Sequence, residues 1–400
     1  FMHLAREILQ KTKAPDIESV QILASTHFVL AWKEQPKDVV AEYERGYTIG
    51  MESGDIENSH MNLSALCHYE YIIVGRPLPE METKFHAMFD KLKLFGLDTL
   101  YTIAIEQYET LPYVRGTRKA PPDPDQLKNF GPLTNTSSDN QRLIEGCIGR
   151  IMLGVYFNLD GLAEQMVPRL MNLPWMDLGF CPKSTALFFS ALACSTLYRK
   201  TRQGKFRRCA KKSLKTLKRL SRIRGPNSWH RCVIMEAHFK AATGGKRDCT
   251  AIQEAYDHAI SAATRSGHGH DAGLCAQLAA EYFASLESAA IAKPDTSLVS
   301  QYLHFARERY MEWGAYGLVN HLERNFPSIL GTLLSQEKRS NDYVSFASSI
   351  ISSPENAIAL TDLGGPGPIP ASVNEHMKEE VSIMTEPTTW RPLGNPMIKI

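Results

Sequence analysis

The amino-acid sequence predicts an all-α protein, a solenoid of helical hairpins followed by a disordered C-terminal tail. Small and aromatic residues recur three and four positions apart, most regularly over residues 251–330, and this spacing places them on one face of a helix. Glycine and proline interrupt the pattern roughly every twenty residues, which leaves segments long enough for one helix of a repeat. No stretch alternates apolar and polar residues convincingly enough to predict a strand.

The first predicted domain, residues 1–115, consists of N-terminal helical repeats. Five helices fit residues 17–115, with breaks expected at residues 35–36, 53–55, 75–77 and 95–96. In the helix that precedes the second break, Val39, Val40, Tyr43 and Tyr47 repeat at the helical period. Gly54 then supplies a plausible C-terminal stop.

The remaining chain divides into a loop, a second set of repeats and a tail. Residues 116–140 are predicted to form a flexible loop, because their prolines, glycines and small polar residues bury little apolar surface. Residues 141–330 are predicted to form C-terminal helical repeats, with interruptions near Asp160, Pro168, Pro174, Pro182 and residues 224–226 and 243–245. Residues 331–400 read as a linker or disordered tail.

Composition indicates a cytoplasmic protein. The net charge of +2 gives no global attraction to nucleic acid or membrane, so any electrostatic partner must be recognised locally. No apolar run is long enough to serve as a transmembrane segment. The eight cysteines never form a Cys-x-x-Cys pair, and we expect reduced, buried thiols.

The spacing in the C-terminal block fits tetratricopeptide-like hairpins loosely. A tetratricopeptide unit is a helical hairpin of about 34 residues whose second helix places small residues and an aromatic residue at fixed offsets. Ile252, Tyr256 and Ala259 follow that order, and Ala306 and Tyr310 match its first two positions. An ordinary helical bundle with apolar core stripes is the alternative that this pattern leaves open.

A second set of residues carries a more specific resemblance over residues 38–330. These residues are Tyr43, Gly46, Gly50, Gly54, Asp55, Trp229, His230, Glu236, Ala237, residues 251–260 and 278–283, Tyr302, Leu303, Tyr310, Trp313, Gly314, Ala315, Leu322, Glu323 and Pro327. In this combination the chain resembles the tetratricopeptide-like helical region of large multi-sensor hybrid signalling proteins. In that family the array follows a kinase-like domain and a predicted AAA-type ATPase module, and it precedes a sensor and histidine-kinase half. The resemblance implies a regulatory array that relays partner binding to neighbouring domains.

Three features depart from that family's pattern, and one of them is the loop of residues 116–140, which we interpret as an elaboration. The family's short turn between its last two long helices is replaced by residues 285–297, so this hairpin is expected to be looser. Nothing after residue 330 resembles a sensor domain.

Searches for catalytic and metal-binding patterns predict neither a catalytic residue nor a cofactor nor a metal site. Gly244, Gly245 and Lys246 approach a phosphate-binding loop, but the first glycine and the final hydroxyl of that motif are missing. His268, His270 and Asp271 have side chains that ligate metals, yet we interpret them as parts of a flexible turn between helices.

The one local electrostatic feature is residues 199–224, which contain thirteen Lys or Arg and no acidic residue. One apolar stripe is expected to be buried, and a solvated helix face is the alternative to a binding surface. An acidic partner or an anionic membrane would fit the charge, whereas the lack of interleaved aromatic residues disfavours nucleic acid. The predicted partner-binding residues are Arg207, Arg208, Lys211, Lys212, Lys215, Lys218, Arg219 and Arg222.

Together these patterns predict a non-catalytic scaffold or regulatory module of a signal-transduction protein. Its partners would be other proteins or neighbouring domains of the same polypeptide. The alternative is a fragment of a multidomain signalling ATPase or protein kinase whose catalytic domains lie upstream of residue 1. The first residue, Phe1 rather than Met, motivates that alternative.

Overall fold

A computed structural model describes residues 17–118, 137–173, 179–221, 225–244, 248–287 and 296–331. Within these ranges every regular element is a helix, and the helices pack in pairs, so the prediction of an all-α protein is confirmed. The chain divides into two compact units, residues 1–322 and 323–400. Most of the predicted loop and nearly all of the predicted tail lie outside the described residues.

The N-terminal part of the first unit holds six α-helices. They are α1 (Glu18–Phe28), α2 (Pro36–Ser53), α3 (Ile56–Tyr69), α4 (Leu78–Leu94), α5 (Asp98–Tyr108) and α6 (Leu111–Arg115). A short 3₁₀ turn, Leu30–Trp32, follows α1. A π-helical turn, Glu70–Val74, extends α3 and is called the π-turn below.

The helices of the second half begin at Ser137, so the last residues of the predicted 116–140 loop are helical. They are α7 (Ser137–Tyr156), α8 (Asp160–Met171), α9 (Phe180–Thr201), α10 (Gly204–Leu220), α11 (Trp229–Thr243), α12 (Cys249–Arg265), α13 (Gly269–Glu287), α14 (Thr296–Trp313) and α15 (Tyr316–Asn325).

Helix boundaries follow the local chemistry of the chain. Gly54 ends α2 in the left-handed region with φ +82°, as the sequence predicts, and Gly75 ends the π-turn with φ +68°. Pro36 opens α2, where its missing N–H costs no hydrogen bond. Asp55 caps α3 by accepting a hydrogen bond from the backbone N–H of Asn58.

Helix packing has a regular order. Most helices contact the next helix in the chain, and α1, α3, α5, α7, α9, α11 and α13 each contact the next member of that series. Helix α9 is buried on all sides because it packs against α1, α7, α8, α10 and α11. The stripe residues Ile252, Tyr256, Ala259, Ala306 and Tyr310 are all fully buried.

Contacts between distant parts of the first unit supplement this order. Trp313 at the end of α14 donates a hydrogen bond from Nε1 to the backbone oxygen of Arg76, at 3.0 Å. The Trp313 ring also stacks on Tyr71 of the π-turn, with ring centroids 6.2 Å apart. The segment around the π-turn is therefore enclosed by helices far away in the sequence.

Candidate functional site

Helix α10 presents a dense basic surface. Phe206, Ala210, Ser213 and Leu217 are buried against neighbouring helices, and because they recur three and four positions apart they form a single stripe. The other positions of α10 include no acidic residue. We call its cationic surface the basic face, defined by Arg207, Arg208, Lys211, Lys212, Lys215, Lys218 and Arg219.

Most of the basic face lacks an acidic partner among the described residues. Lys218 pairs with Glu236 of α11 and is half-buried, whereas Arg207, Arg208, Lys211, Lys212, Lys215 and Arg219 are exposed and form no ion pair with any described residue. Between the long side chains runs an open groove of about 640 Å³. Of the predicted partner-binding residues, Arg222 lies outside the described part of the chain.

A second concentration of charge is buried. His230, Arg231, His268, His270 and Asp271 are each at most 4% exposed, and we call them the Arg231–Asp271 cluster. Arg231 Nε donates to Asp271 Oδ2 at 2.8 Å, and His230 Nε2 lies 2.8 Å from the same oxygen. Burial alone would raise the pKa of Asp271, but Arg231 and the neighbouring histidines hold that pKa well below its usual range.

Side chains of the cluster are hydrogen-bond partners of backbone carbonyls in the π-turn. Arg231 Nη2 donates to the backbone oxygen of Ile72 at 2.6 Å, and His268 Nδ1 lies 2.8 Å from that of Ile73. Carbonyls at a helix end lack intrahelical partners and need other donors when they are buried. Glycine at position 75 allows His270 to approach the end of the π-turn, because a Cβ there would lie 2.0 Å from His270 Nδ1.

These contacts correct the interpretation of His268, His270 and Asp271 as parts of a loose turn. Burial lowers the pKa of each of the three cluster histidines, so the rings are held neutral. The space beside them, bounded by Tyr71 and Trp313 among others, has no room for a water-sized molecule. Within the described ranges no group of three His, Cys, Asp or Glu side chains is arranged to hold a metal. The cluster therefore joins helices.

An accessible cavity of about 340 Å³ lies elsewhere in the first unit, between α1, α3, α5, α7 and the start of α9. Its walls are mostly apolar, and its size falls within the range of small-molecule sites. Met61 and Phe28 are partly exposed at this cavity. We call it the His68–Glu145 pocket, after two of its buried polar residues.

The polar residues of this pocket converge from three helices. His68 of α3 is 5% exposed and Glu145 of α7 is 3% exposed, with His68 Nδ1 4.0 Å from Glu145 Oε1. Gln107 of α5 donates from Nε2 to the same oxygen at 3.1 Å. Burial raises the pKa of Glu145 to about 7 and lowers the pKa of His68 to about 3.

Neither the Arg231–Asp271 cluster nor the His68–Glu145 pocket is predicted from the sequence, although the sequence contains a local signal for each. Arg231 stands beside a run of apolar residues in α11, and Glu145 stands between buried Ile144 and Cys147. A charged residue on a stripe that should be apolar indicates a buried partner. The partner's identity does not follow, because it lies on another helix.

The cysteines show no disulfide within the described residues. Six of them are buried, and Cys209 and Cys249 are half-buried. Six of the eight positions therefore agree with the buried thiols expected from the sequence.

Comparison with known proteins assigns neither a family nor a function to this chain. None of the family models, curated proteins or solved structures compared with the chain matches it. In the part of the chain that the structure describes, no helix has both the length and the apolar character needed to span a bilayer.

Proposed function

We propose that this chain is a non-catalytic, cytoplasmic helical scaffold of a signal-transduction protein, and that it docks an acidic protein segment on the basic face of α10. The observation that carries this proposal is the set of exposed Lys and Arg side chains on one helix without a described acidic partner.

Helix energetics support an anionic partner. Arg208 and Lys212, Lys211 and Lys215, and Lys215 and Arg219 are like-charged pairs four residues apart, which destabilise an isolated helix by about 0.2–0.5 kcal/mol each. Cationic residues in the first turn also oppose the helix dipole. Bound carboxylates would relieve both costs, and they suit Arg and Lys donors.

The structure favours an acidic protein over a membrane or nucleic acid. An amphipathic helix binds a membrane through its apolar face, but that face of α10 is buried against neighbouring helices. Base stacking needs accessible aromatic rings, and Phe206, the aromatic residue of α10, is 2% exposed. Charge alone remains available for recognition, and an acidic segment fits it.

The scaffold part of the proposal rests on the packing order of the helices. Successive contacts among the odd-numbered helices α1 to α13 are typical of a tetratricopeptide-like solenoid, in which each hairpin stacks on the next. Contacts from α11, α13 and α14 to the π-turn go beyond neighbouring hairpins. We therefore infer a tightly wound array, with a relay role like that of the signalling proteins it resembles.

A synthetic Glu-rich peptide with a fluorescent label tests the docking proposal. Replacement of Lys211, Lys212, Lys215 and Arg219 by Gln should weaken its binding to the full chain roughly tenfold or more, because each exposed ion pair contributes about 0.2–1 kcal/mol. Fluorescence anisotropy at low salt and at about 0.15 M salt measures the change, and wild-type affinity should fall as salt rises.

A matched control keeps the change in charge the same. Lys33, Lys37, Lys93 and Arg265 are exposed and lie outside α10, so their replacement by Gln should leave most of the binding intact. Equal losses in both variants would mean that only net charge matters. Tighter binding to phosphatidylserine vesicles or duplex DNA than to the peptide, at the same salt, would reject an acidic protein as the partner.

A further inference from the structure

The His68–Glu145 pocket offers two hydrogen-bond acceptors that the described residues leave unused. Among the hydrogen bonds of the described residues, Glu145 Oε2 accepts none and neither ring nitrogen of His68 takes part in one. Both side chains are more than nine-tenths buried. Buried polar groups are normally paired, so unpaired ones that line a cavity point to a ligand.

The spacing of His68 Nδ1 and Glu145 Oε1 suits one donor-rich nitrogen, because Oε1 keeps a lone pair besides the one that accepts from Gln107. His68 Nδ1 and Glu145 Oε1 are 4.0 Å apart, and a nitrogen at about 2.8–3.0 Å from each can donate to both. An ammonium group carries several N–H donors, whereas a hydroxyl carries one. The neutral ring of His68 retains one lone pair for such a donor.

The charge of the surroundings also favours a cation. The pocket opens toward an adjoining groove, with which it shares Met61, Leu100, Ile103 and Gln141. The groove adds Glu57 and Asp98, and neither cavity is lined by a described Lys or Arg. A carboxylate or phosphate ligand would therefore meet only like charge.

We propose that the His68–Glu145 pocket binds a small organic ammonium compound. Its charged nitrogen lies between Glu145 and His68, and its apolar body lies along the walls formed by α1, α3 and α5. Burial of the apolar body supplies most of the affinity, because an ion pair in a buried site gains little beyond its desolvation cost. The ion pair supplies the selectivity.

Three probes of similar shape test this assignment by isothermal titration calorimetry on the full chain. Cyclohexylmethylamine should bind more tightly than cyclohexylmethanol, and cyclohexanecarboxylate should bind least. In Glu145→Gln, which keeps the side-chain shape, affinity for the amine should fall roughly tenfold or more, whereas affinity for the alcohol stays the same. Glu52→Gln is the control, because Glu52 is an exposed carboxylate outside the pocket.

Further measurements cover the case in which Glu145→Gln does not fold. His68→Gln should also weaken amine binding, and ¹⁵N-labelled histidine in the wild-type chain should show a change in the His68 ring resonance when amine is added. Absence of amine binding, equal binding of the three probes, or full affinity in Glu145→Gln would each overturn the proposal. The result of the amine-binding test does not depend on the basic face, since peptide binding to α10 involves neither His68 nor Glu145.

The pH dependence of amine binding gives another readout. Since the pKa of Glu145 is about 7, affinity for the amine should fall roughly tenfold between about pH 8 and pH 6 as this carboxylate takes up a proton. The groups around it do not reverse that sign: the pKa of His68 is about 3 and that of His27 about 4, and burial raises the pKa of Cys181. Glu106 also acts on Glu145, and its charge raises the Glu145 pKa.

Discussion

Arg231 and Asp271 show how single residues join distant helices in this protein. Both are almost completely buried, so each charge has lost its hydration. Two hydrogen bonds of Arg231 offset that cost, one to Asp271 and one to the backbone oxygen of Ile72. The guanidinium therefore links α11, α13 and the π-turn through one side chain.

Removal of one partner from this ion pair should cost more than removal of both. We expect Arg231→Met and Asp271→Leu each to lower the free energy of unfolding by about 3–5 kcal/mol, because each leaves an unpaired buried charge. The double variant should lose clearly less than the sum, with a coupling energy above about 1 kcal/mol. Urea unfolding of the four proteins measures it. Additive losses would show that the two charges act independently.

For single residues, the sequence predicts which side chains lie on a buried helix face, but it does not predict which residue on another helix each one contacts. Tyr256 and Tyr310 were predicted to face a neighbouring helix, and both are fully buried. Periodicity reports which face of one helix is apolar, but it carries no information about the residue opposite. Arg231 and Asp271 are 40 residues apart, and His268 is 195 residues from Ile73.

Close approach between helices depends on glycine at two positions of α2. A Cβ on Gly46 would lie 2.5 Å from Asn62 Oδ1, and one on Gly50 would lie 2.7 Å from both Ser19 Oγ and Ser59 Cβ. Gly46 and Gly50 are four residues apart and therefore lie on one face of α2. That face packs against α1 and α3, which places two walls of the His68–Glu145 pocket.

Gly50→Ala should destabilise the protein although alanine favours helix formation. The gain in helix propensity is at most about 1 kcal/mol, whereas forcing a methyl group into a packed interface costs about 1–3 kcal/mol. Gly161→Ala in α8 is the control, since a Cβ there meets nothing within 4 Å. Thermal unfolding should give a lower Tm for Gly50→Ala and an equal or higher Tm for Gly161→Ala. A higher Tm in both variants would contradict the packing argument.

Helix boundaries were predictable where glycine or proline sets them, as at Pro36, Gly54 and Gly75. The predicted break at Pro168 is wrong, because α8 continues past this proline to Met171. Pro168 removes the hydrogen bond to the carbonyl of Glu164 but does not end the helix. Pro182 falls in the first turn of α9, where a proline N–H is not needed. The π-turn had no sequence marker, since its carbonyls bond to Arg231 and His268, which are distant in the sequence.

For the molecule as a whole, the sequence predicted the helical class and the sites of exposed charge better than the buried polar network. The exposed positions of the basic face follow from the stripe of α10 alone. The His68–Glu145 pocket requires the packing of five helices, and none of them marks it by itself. Candidate sites built from one element are therefore accessible to sequence reasoning, whereas sites assembled from several elements need the fold.

Buried histidines make the stability of the protein sensitive to acid. Burial lowers the pKa of several of them, to about 4 for His27 and to about 3 for His68 and His238. In the unfolded chain each histidine has a pKa near 6.5. Below that pH the unfolded state therefore binds protons that the folded state does not bind. The residues with this behaviour are His27, His68, His230, His238, His268 and His270.

Stability should therefore fall as the pH is lowered from about 7.5 to about 5.5, by about 1 kcal/mol for each of His27, His68 and His238, whose folded-state pKa values lie below that range. Glu145 opposes the loss, because its pKa of about 7 lets the folded state keep a proton over part of that range, and burial shifts the pKa of Glu281 in the same direction. The histidines outnumber them, so the urea midpoint should be lower at acid pH. His238→Gln should reduce the pH dependence, since Gln can still bond the hydroxyls of Thr196 and Tyr256 without titrating. A midpoint that stays constant or rises on acidification would contradict this prediction.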